Sequence, residues 1–452
     1  MPSRQQSQHS SVTSSRPVRR ALTRGQIAAL AALAFAASLA MAWSHTWQLK
    51  INDYGAEAMG PLSALLHGHV WRFLSTAPGY GPSLELRAPF ALIASLAHGT
   101  ELLVFRFSAL PCLFALAALG VWIAPRLRLG GRGWIAILLT LALCVANPIT
   151  YYALVLGHPE EALGSVLCVA AVLSANRGHS IAAGVLLGLA IANKEWALLA
   201  IGPVVLALPA GRVRAVVVAG AVAALMLGPI AIASVTLKTA SLRLSSSDSG
   251  TIFYPQQIWW FFGTPGHWVA SMRGQLMPGF RVPPSWLPGH AHTLIVWLGL
   301  PLALLAARRR MPRENALALL ALLLLLRCML DPWDLSYYPL PFLVALLSWE
   351  TVVRRRAPIG ALVATAATWL IFEGAPPYLS ANEKALAFII PSLLALAALA
   401  AVVYRRGPVE PALASSAQST TSRSFVNWLS RRTPSSVTTA RSSIRTPSSP
   451  GT

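Results

Sequence analysis

Four short stretches of this chain set ionisable side chains into apolar surroundings, and the chemistry they allow is proton transfer and anion binding. In NDYGAEA, Asp53 and Glu57 lie a helical turn apart just beyond an apolar run. A carboxylate placed there suits a general base, provided that it comes within hydrogen-bond reach of the hydroxyl proton it takes. The same pair also suits an Asp cap and a first-turn Glu steadying a short helix over 54–66. GHPEE at 157–161 sets His158 beside Glu160 and Glu161. Pro159 fits a first helical position and the two acids complement a helix dipole. Capping does not require a histidine and adjacent carboxylates on an otherwise apolar helix, and acids at the edge of hydrocarbon are usually retained for a site.

Two further stretches add cations. ANKEW at 192–196 divides a long apolar segment, so Lys194 and Glu195 mark a hairpin tip. Lys194 there suits a lipid phosphate as a point charge, or a neutralising partner in Glu195 lets two short helices meet. RCMLDPWDLSYYP gathers Arg327, Asp331, Asp334, Tyr337 and Tyr338 within one turn. That cluster reads either as a sugar site with Arg327 drawing a phosphate inward or as headgroup anchoring with Asp334 capping the next helix. Arg87, in the loop that follows Asp53, is a further candidate cation.

The elements that must hold these groups are membrane helices. With 452 residues, 55% hydrophobic and only 11% charged, the chain carries more apolar surface than one soluble core hides. Apolar runs at 26–43, 102–124, 133–147, 161–175, 181–193, 196–208, 215–236, 292–307, 314–330, 336–349, 358–372 and 384–404 predict an all-α polytopic membrane protein with about twelve transmembrane helices. Arginines cluster after every second run: Arg126, Arg128 and Arg132, then Arg177, Arg212 and Arg214, Arg308 to Arg310, Arg354 to Arg356, and Arg405 with Arg406. Basic loops stay cytoplasmic, so both termini are expected inside and the four motifs outside. Only Glu314, Glu350 and Glu410 of the 15 acids then face the cytoplasm. The net charge of +21 is therefore a consequence of topology and calls for no nucleic acid.

Residues 1–23 and 407–452 are rich in Ser, Thr, Gln and Arg and are expected to be disordered cytoplasmic tails flanking a transmembrane domain over 24–406. In the second tail, SFVNWLSRR at 424–432 is either a leaflet-binding segment or a chance apolar cluster. The first apolar run lacks a small-residue cleavage site and reads as a retained anchor. Two long extracytoplasmic loops are expected, about 44–101 and 237–291. The first carries a re-entrant or interfacial helix near 88–99, and the second carries aromatics at 254–268 that suit an interface or a sugar. Cys112, Cys144, Cys168 and Cys328 fall inside helices without metal or disulfide spacing. No cluster demands a metal.

An acid in the first external loop, a polar motif opening a later helix and a Lys in a broken hairpin together resemble the GT-C superfamily of lipid-sugar glycosyltransferases, and glycosyltransferase family 87 within it. The resemblance spans roughly residues 25–404. It implies a GT-C-like fold and transfer of a sugar, mannose favoured, from a polyprenyl-phosphate donor to an acceptor hydroxyl on a glycolipid or glycan. It further implies inversion, with Asp53 as base and Lys194, Arg87 or Arg327 stabilising the departing phosphate. No cofactor is expected beyond that donor substrate. GHPEE stands where a Gly-Gln type motif is commoner in the family, and NKEW where Lys is more often followed by Pro, so sugar and acceptor stay open. The alternative is a transporter or lipid flippase, which would want ionisable groups near the midplane and repeated broken helices. A scaffold without catalysis would leave the four motifs apart, each satisfied locally.

Overall fold

The computed structural model describes residues 22–44, 52–127, 133–237, 252, 254–266, 269–270, 276–277, 281–287, 289–333 and 335–405. Most of the N-terminal tail, the C-terminal tail with its SFVNWLSRR segment, and Asp334 lie outside the described residues.

Helix α1 (Arg24–Trp43) starts at a capping box, in which the Thr23 hydroxyl accepts the Gln26 N–H and the Gln26 side chain accepts that of Thr23. The first loop is helical: a π-turn over Tyr54–Ala58 runs into α2 (Met59–Leu66), followed by α3 (Val70–Thr76) and α4 (Gly81–Leu96). Then come α5 (Glu101–Ile123), α6 (Gly133–Val145), α7 (Pro148–Leu156), α8 (Glu160–Asn176) and α9 (Ser180–Asn193). A 3-10 turn (Glu195–Ala200) leads into α10 (Ile201–Ala207), and α11 (Arg212–Leu237) closes the first half.

The second loop holds a 3-10 turn (Ile258–Phe262) and four two-residue strands. β1 (Thr264–Pro265) pairs antiparallel with β4 (Arg281–Val282), and β2 (Val269–Ala270) with β3 (Leu276–Met277). Helices α12 (Ala291–Arg308), α13 (Ala316–Leu330), α14 (Leu340–Ser348), α15 (Ile359–Trp369) and α16 (Ala381–Tyr404) complete the bundle.

Each of the twelve apolar runs falls on a helix, so the all-α membrane reading holds. Length divides these helices. Among the described residues six spans are long and apolar enough to cross a bilayer alone: α1, α5 extended to Arg126, α6 with α7, α11, α12 and α16. Helix α9, the Glu195–Ala207 stretch, α14 and α15 are shorter. Helix α7 is an addition to the sequence reading. Asn147 caps it by accepting the Ile149 N–H, and Pro148 occupies its first turn.

Burial sorts the helices into an inner and an outer set. Helix α13 is apolar all round and buried from Ala316 to Leu325, as a central helix must be. By contrast α11 exposes Val213, Leu225 and Val235, the surface expected against lipid. Helix α9 meets α11 through Gly184 and Gly188, where an added Cβ would lie 2.6 Å from the carbonyl oxygens of Ala215 and Ala219. Small residues allow this close backbone approach, which suits helices that associate without a hydrophobic driving force between them.

Candidate active site

The four polar motifs converge at one end of the bundle. Asn52 joins the first loop to α7 by donating its side-chain amide to the Val155 carbonyl at 3.1 Å. Gly157, which ends α7 in the left-handed region (φ 94°), lies under Tyr54 so closely that an added Cβ would sit 2.5 Å from the Tyr54 nitrogen. Only glycine meets both demands. The hairpin tip is fastened in turn: Asn193 donates to the Glu160 carbonyl at 2.8 Å, and the Trp196 indole N–H donates to Glu161 Oε1 at 3.2 Å. Helix α8 packs against α5, α9 and α14, so its first turn is held from several sides.

Within this frame the side chains form a continuous ionic chain. His158 Nε2 lies 2.9 Å from Asp53 Oδ2, and its Nδ1 lies 2.6 Å from Glu160 Oε1. Both neighbours are carboxylates, and ionised carboxylates only accept, so the ring is an imidazolium donating from each nitrogen. Burial alone would lower the His158 pKa; the Glu160 charge and the hydrogen bonds with Asp53 and Glu160 outweigh it and carry it up to about 9.

Glu160 is shared further, with Arg87 Nη1 at 3.5 Å from Oε2 and Lys194 Nζ at 3.6 Å from Oε1. Lys194 also lies 3.8 Å from Glu161, whose other oxygen is 3.6 Å from Arg327 Nη1. Arg87, Glu160 and Glu161 are fully buried, whereas the side chains of Asp53 and Lys194 keep 25% and 13% of their exposure. Burial of the Lys194 ammonium works against its charge, but Glu160, Glu161 and Glu195 more than restore it, so it stays protonated. Isolated charges at this depth would be prohibitive, and mutual pairing is what permits them.

Aromatic rings wall the chain. Lys194 Nζ lies 4.5 Å from the Tyr80 ring centroid, and the Arg327 guanidinium lies over the rings of Trp196 and Tyr338 at 5.1 and 4.5 Å. Tyr337 covers His158, with ring centroids 4.8 Å apart. The Tyr80 hydroxyl donates to Glu57 at 2.7 Å.

The local alternatives hold for Glu57, Glu160 and Glu161, which do lie in first helical turns, and fail for Asp53. Asp53 makes no side-chain capping bond at the π-turn it precedes; Asn52 performs that task by accepting the Gly55 N–H. Lys194 sits between Glu160 and Glu161, across the helix boundary. Asp331 belongs to a satellite pair, with His292 Nε2 at 3.1 Å, while its Oδ1 accepts the Trp333 N–H. Glu195, half-buried at the hairpin tip, adds its charge to Lys194 and to that satellite pair.

Absent from the sequence reading are Tyr80 and Trp196, which line the ionic chain, and Glu373, whose charge, after burial, raises the Tyr254 pKa together with that of Asp53. Tyr254 opens the aromatic stretch of the second loop, so that loop borders the site. Its exposed Phe262 and Trp286 flank Trp259 at ring separations of 6.1 and 5.6 Å.

An all-α protein with six helices among its described residues long and apolar enough to cross a membrane thus carries, at one end of its bundle, a buried, charge-paired cluster that opens through Asp53. Residues 53–210 match the family model described as alpha-(1->6)-mannopyranosyltransferase, N-terminal domain, in agreement with the resemblance drawn from the motifs. No curated protein and no solved structure matches the chain. The matched segment begins at Asp53 and contains Arg87, His158, Glu160, Glu161 and Lys194. Arg327 and Tyr337 reach the same cluster from beyond it.

Proposed function

We propose that the protein is an inverting glycosyltransferase that moves mannose from a polyprenyl-phosphate donor to an acceptor hydroxyl on a glycolipid or glycan at the outer membrane face, with Asp53 as general base. The observation that carries this reading is the position of Asp53. It is the most open member of an otherwise largely buried chain, held through Oδ2 by His158, with Oδ1 free of that bond to receive an acceptor proton. The alternation of basic loops supports the outer placement of this face.

In the reaction the acceptor oxygen attacks the anomeric carbon, the bond from that carbon to the phosphate oxygen breaks, and Asp53 takes the hydroxyl proton. The polyprenyl phosphate leaves with the bond electrons as a monoester. Three carboxylates, Asp53, Glu160 and Glu161, meet Arg87, Lys194, Arg327 and the His158 imidazolium. Among these directly paired groups the cations outnumber the acids by one, and Glu195 and Glu57 add negative charge near Lys194 from outside the ionic chain. Lys194 is the cation left partly open to a phosphate whose negative charge grows as the sugar departs. Lys194, the partly exposed cation, is placed to meet that phosphate, while Arg87 and Arg327 act from behind through Glu160 and Glu161.

The test is transfer of labelled mannose from a mannosyl polyprenyl phosphate by purified protein. Asp53→Asn lowers turnover by about 10²–10⁴-fold, the usual share of a general base, with donor affinity changed only severalfold. Undiminished turnover by the variant would remove Asp53 from this role, and transfer from a nucleotide sugar alone would overturn the donor.

A further inference from the structure

The face opposite Asp53 carries a second constructed feature. Helix α8 has 17 residues, a length of about 25 Å at 1.5 Å per residue. Its first turn holds Glu160 and its end holds Arg177, which lines a cavity of about 1100 Å³ with Arg126, Arg313, Arg354 and Arg355. These arginines follow α5, α8 and the π-turn Trp349–Val353 that continues α14, or lie in the turn before α13. Glu314 is the single carboxylate among the described residues in the lining.

Arginine-rich loops alone would be a solvated surface. Two observations distinguish this one. First, Arg126 and Arg177 converge on a single ring, with guanidinium carbons 3.6 and 4.5 Å from the Trp122 centroid. Arg126 is tied there by donating to the Trp122 carbonyl. Among the described residues neither forms an ion pair with a carboxylate, so two like charges are held together over one π face. An anion between them offsets that repulsion, and arginine forks are suited to phosphate oxygens.

Second, Arg354 lines this bowl and also the mouth of a separate apolar groove of about 530 Å³ between α14, α15 and α16. The groove passes Phe342, Leu346 and Ala367 to reach Ile371 and Phe388. From Ile359 to Ile371 it follows about 18 Å of helix, close to the ~15 Å of one leaflet of hydrocarbon.

From the shared arginine and these dimensions we infer that bowl and groove form one binding site for an anionic phospholipid, its phosphate among Arg126, Arg177 and Arg354 and one acyl chain between α14, α15 and α16. The charge of the bowl selects the headgroup and the groove selects a lipid over a free phosphate. This site is separate from the Asp53 cluster: neither cavity is lined by Asp53, His158, Glu160, Glu161 or Lys194.

Native mass spectrometry of the purified full chain, titrated with phosphatidylglycerol against phosphatidylcholine, tests it. The wild-type protein retains one phosphatidylglycerol at least tenfold more strongly than phosphatidylcholine. The double variant Arg126→Gln/Arg177→Gln loses that preference, whereas Arg214→Gln/Arg309→Gln, which removes two charges outside the cavity, keeps it. Ala367→Phe, which leaves every arginine in place, weakens retention by tenfold or more while thermal unfolding reports an intact fold. Equal retention of the two lipids, insensitivity to either the cavity arginines or Ala367→Phe, or displacement by millimolar inorganic phosphate would each overturn the proposal. So would a tenfold preference for polyprenyl phosphate, which would give the groove to the donor.

Discussion

The two ends of the bundle handle charge in opposite ways. At the Asp53 end acids and bases are buried together and each is shared: Glu160 alone is within 3.6 Å of His158, Arg87 and Lys194. At the other end Arg308, Arg309, Arg354 and Arg355 are exposed. The only buried carboxylate among the described residues there is Glu350, held by Arg356 at 2.9 Å and by the Ala361 N–H at 2.8 Å. Charge excess costs little in water, whereas in a low-dielectric interior every charge must find a partner. The exposed arginines at one end thus need no partner, whereas the buried charges at the other persist by pairing.

The contrast is broken most severely at Glu160. Glu160→Gln leaves Arg87, Lys194 and His158 around a neutral amide, and stripping one member from a buried ionic group costs about 3–5 kcal/mol. The expected outcome is a large drop in Tm in detergent together with loss of transfer. A variant as stable as the wild type would show that the cluster is hydrated and its pairing incidental.

Next in size is the pH response of the same end. The folded His158 pKa is raised to about 9 from an ordinary 6.5, so its stabilising contribution is complete below about pH 6.5 and is lost as pH rises through about 9. Between these limits the loss is on the order of 3 kcal/mol. Tm followed from pH 6 to 10 should fall accordingly, and His158→Gln should flatten the profile. A wild-type profile with no such fall would indicate that the ring is neutral.

Gly157→Ala tests the covalent frame without touching a charge. The added methyl meets the Tyr54 backbone and the backbone is left-handed, so a loss of about 2 kcal/mol is expected, with transfer reduced as Asp53 shifts. Unchanged kinetics in that variant would separate the α7–α8 turn from the positioning of Asp53.

Much of this was legible in the sequence, for identifiable reasons. Arginine alternation and apolar runs located the helices because both follow from the bilayer. His158, Glu160, Glu161, Lys194 and Arg327 could be singled out because each is costly where it stands. Helix α7 falls between the apolar runs at 133–147 and 161–175, although Asn147-Pro148 is a helix-start signal. Which charges pair was not legible: Arg87 and Glu160 are far apart in sequence, and their contact depends on how α4 and α8 pack. Tyr80 and Trp196 carried no signal, since aromatics at membrane boundaries are commonplace. Length sets six of the predicted runs apart as able to cross alone, while α9 and the Glu195–Ala207 stretch are short.

The smallest expected effect completes the comparison. Arg309→Gln removes an exposed charge at the basic end, and a substitution of that kind changes stability by no more than about 0.5 kcal/mol. Chemical denaturation at low and moderate salt is the appropriate measurement, because the self-repulsion of the basic face is screened beyond about 10 Å at 0.1 M salt. A slight gain in stability at low salt that vanishes at moderate salt marks an unpaired charge in water. A loss approaching that of Glu160→Gln would mean that Arg309 is paired, and that the basic end obeys the same rule as the Asp53 end.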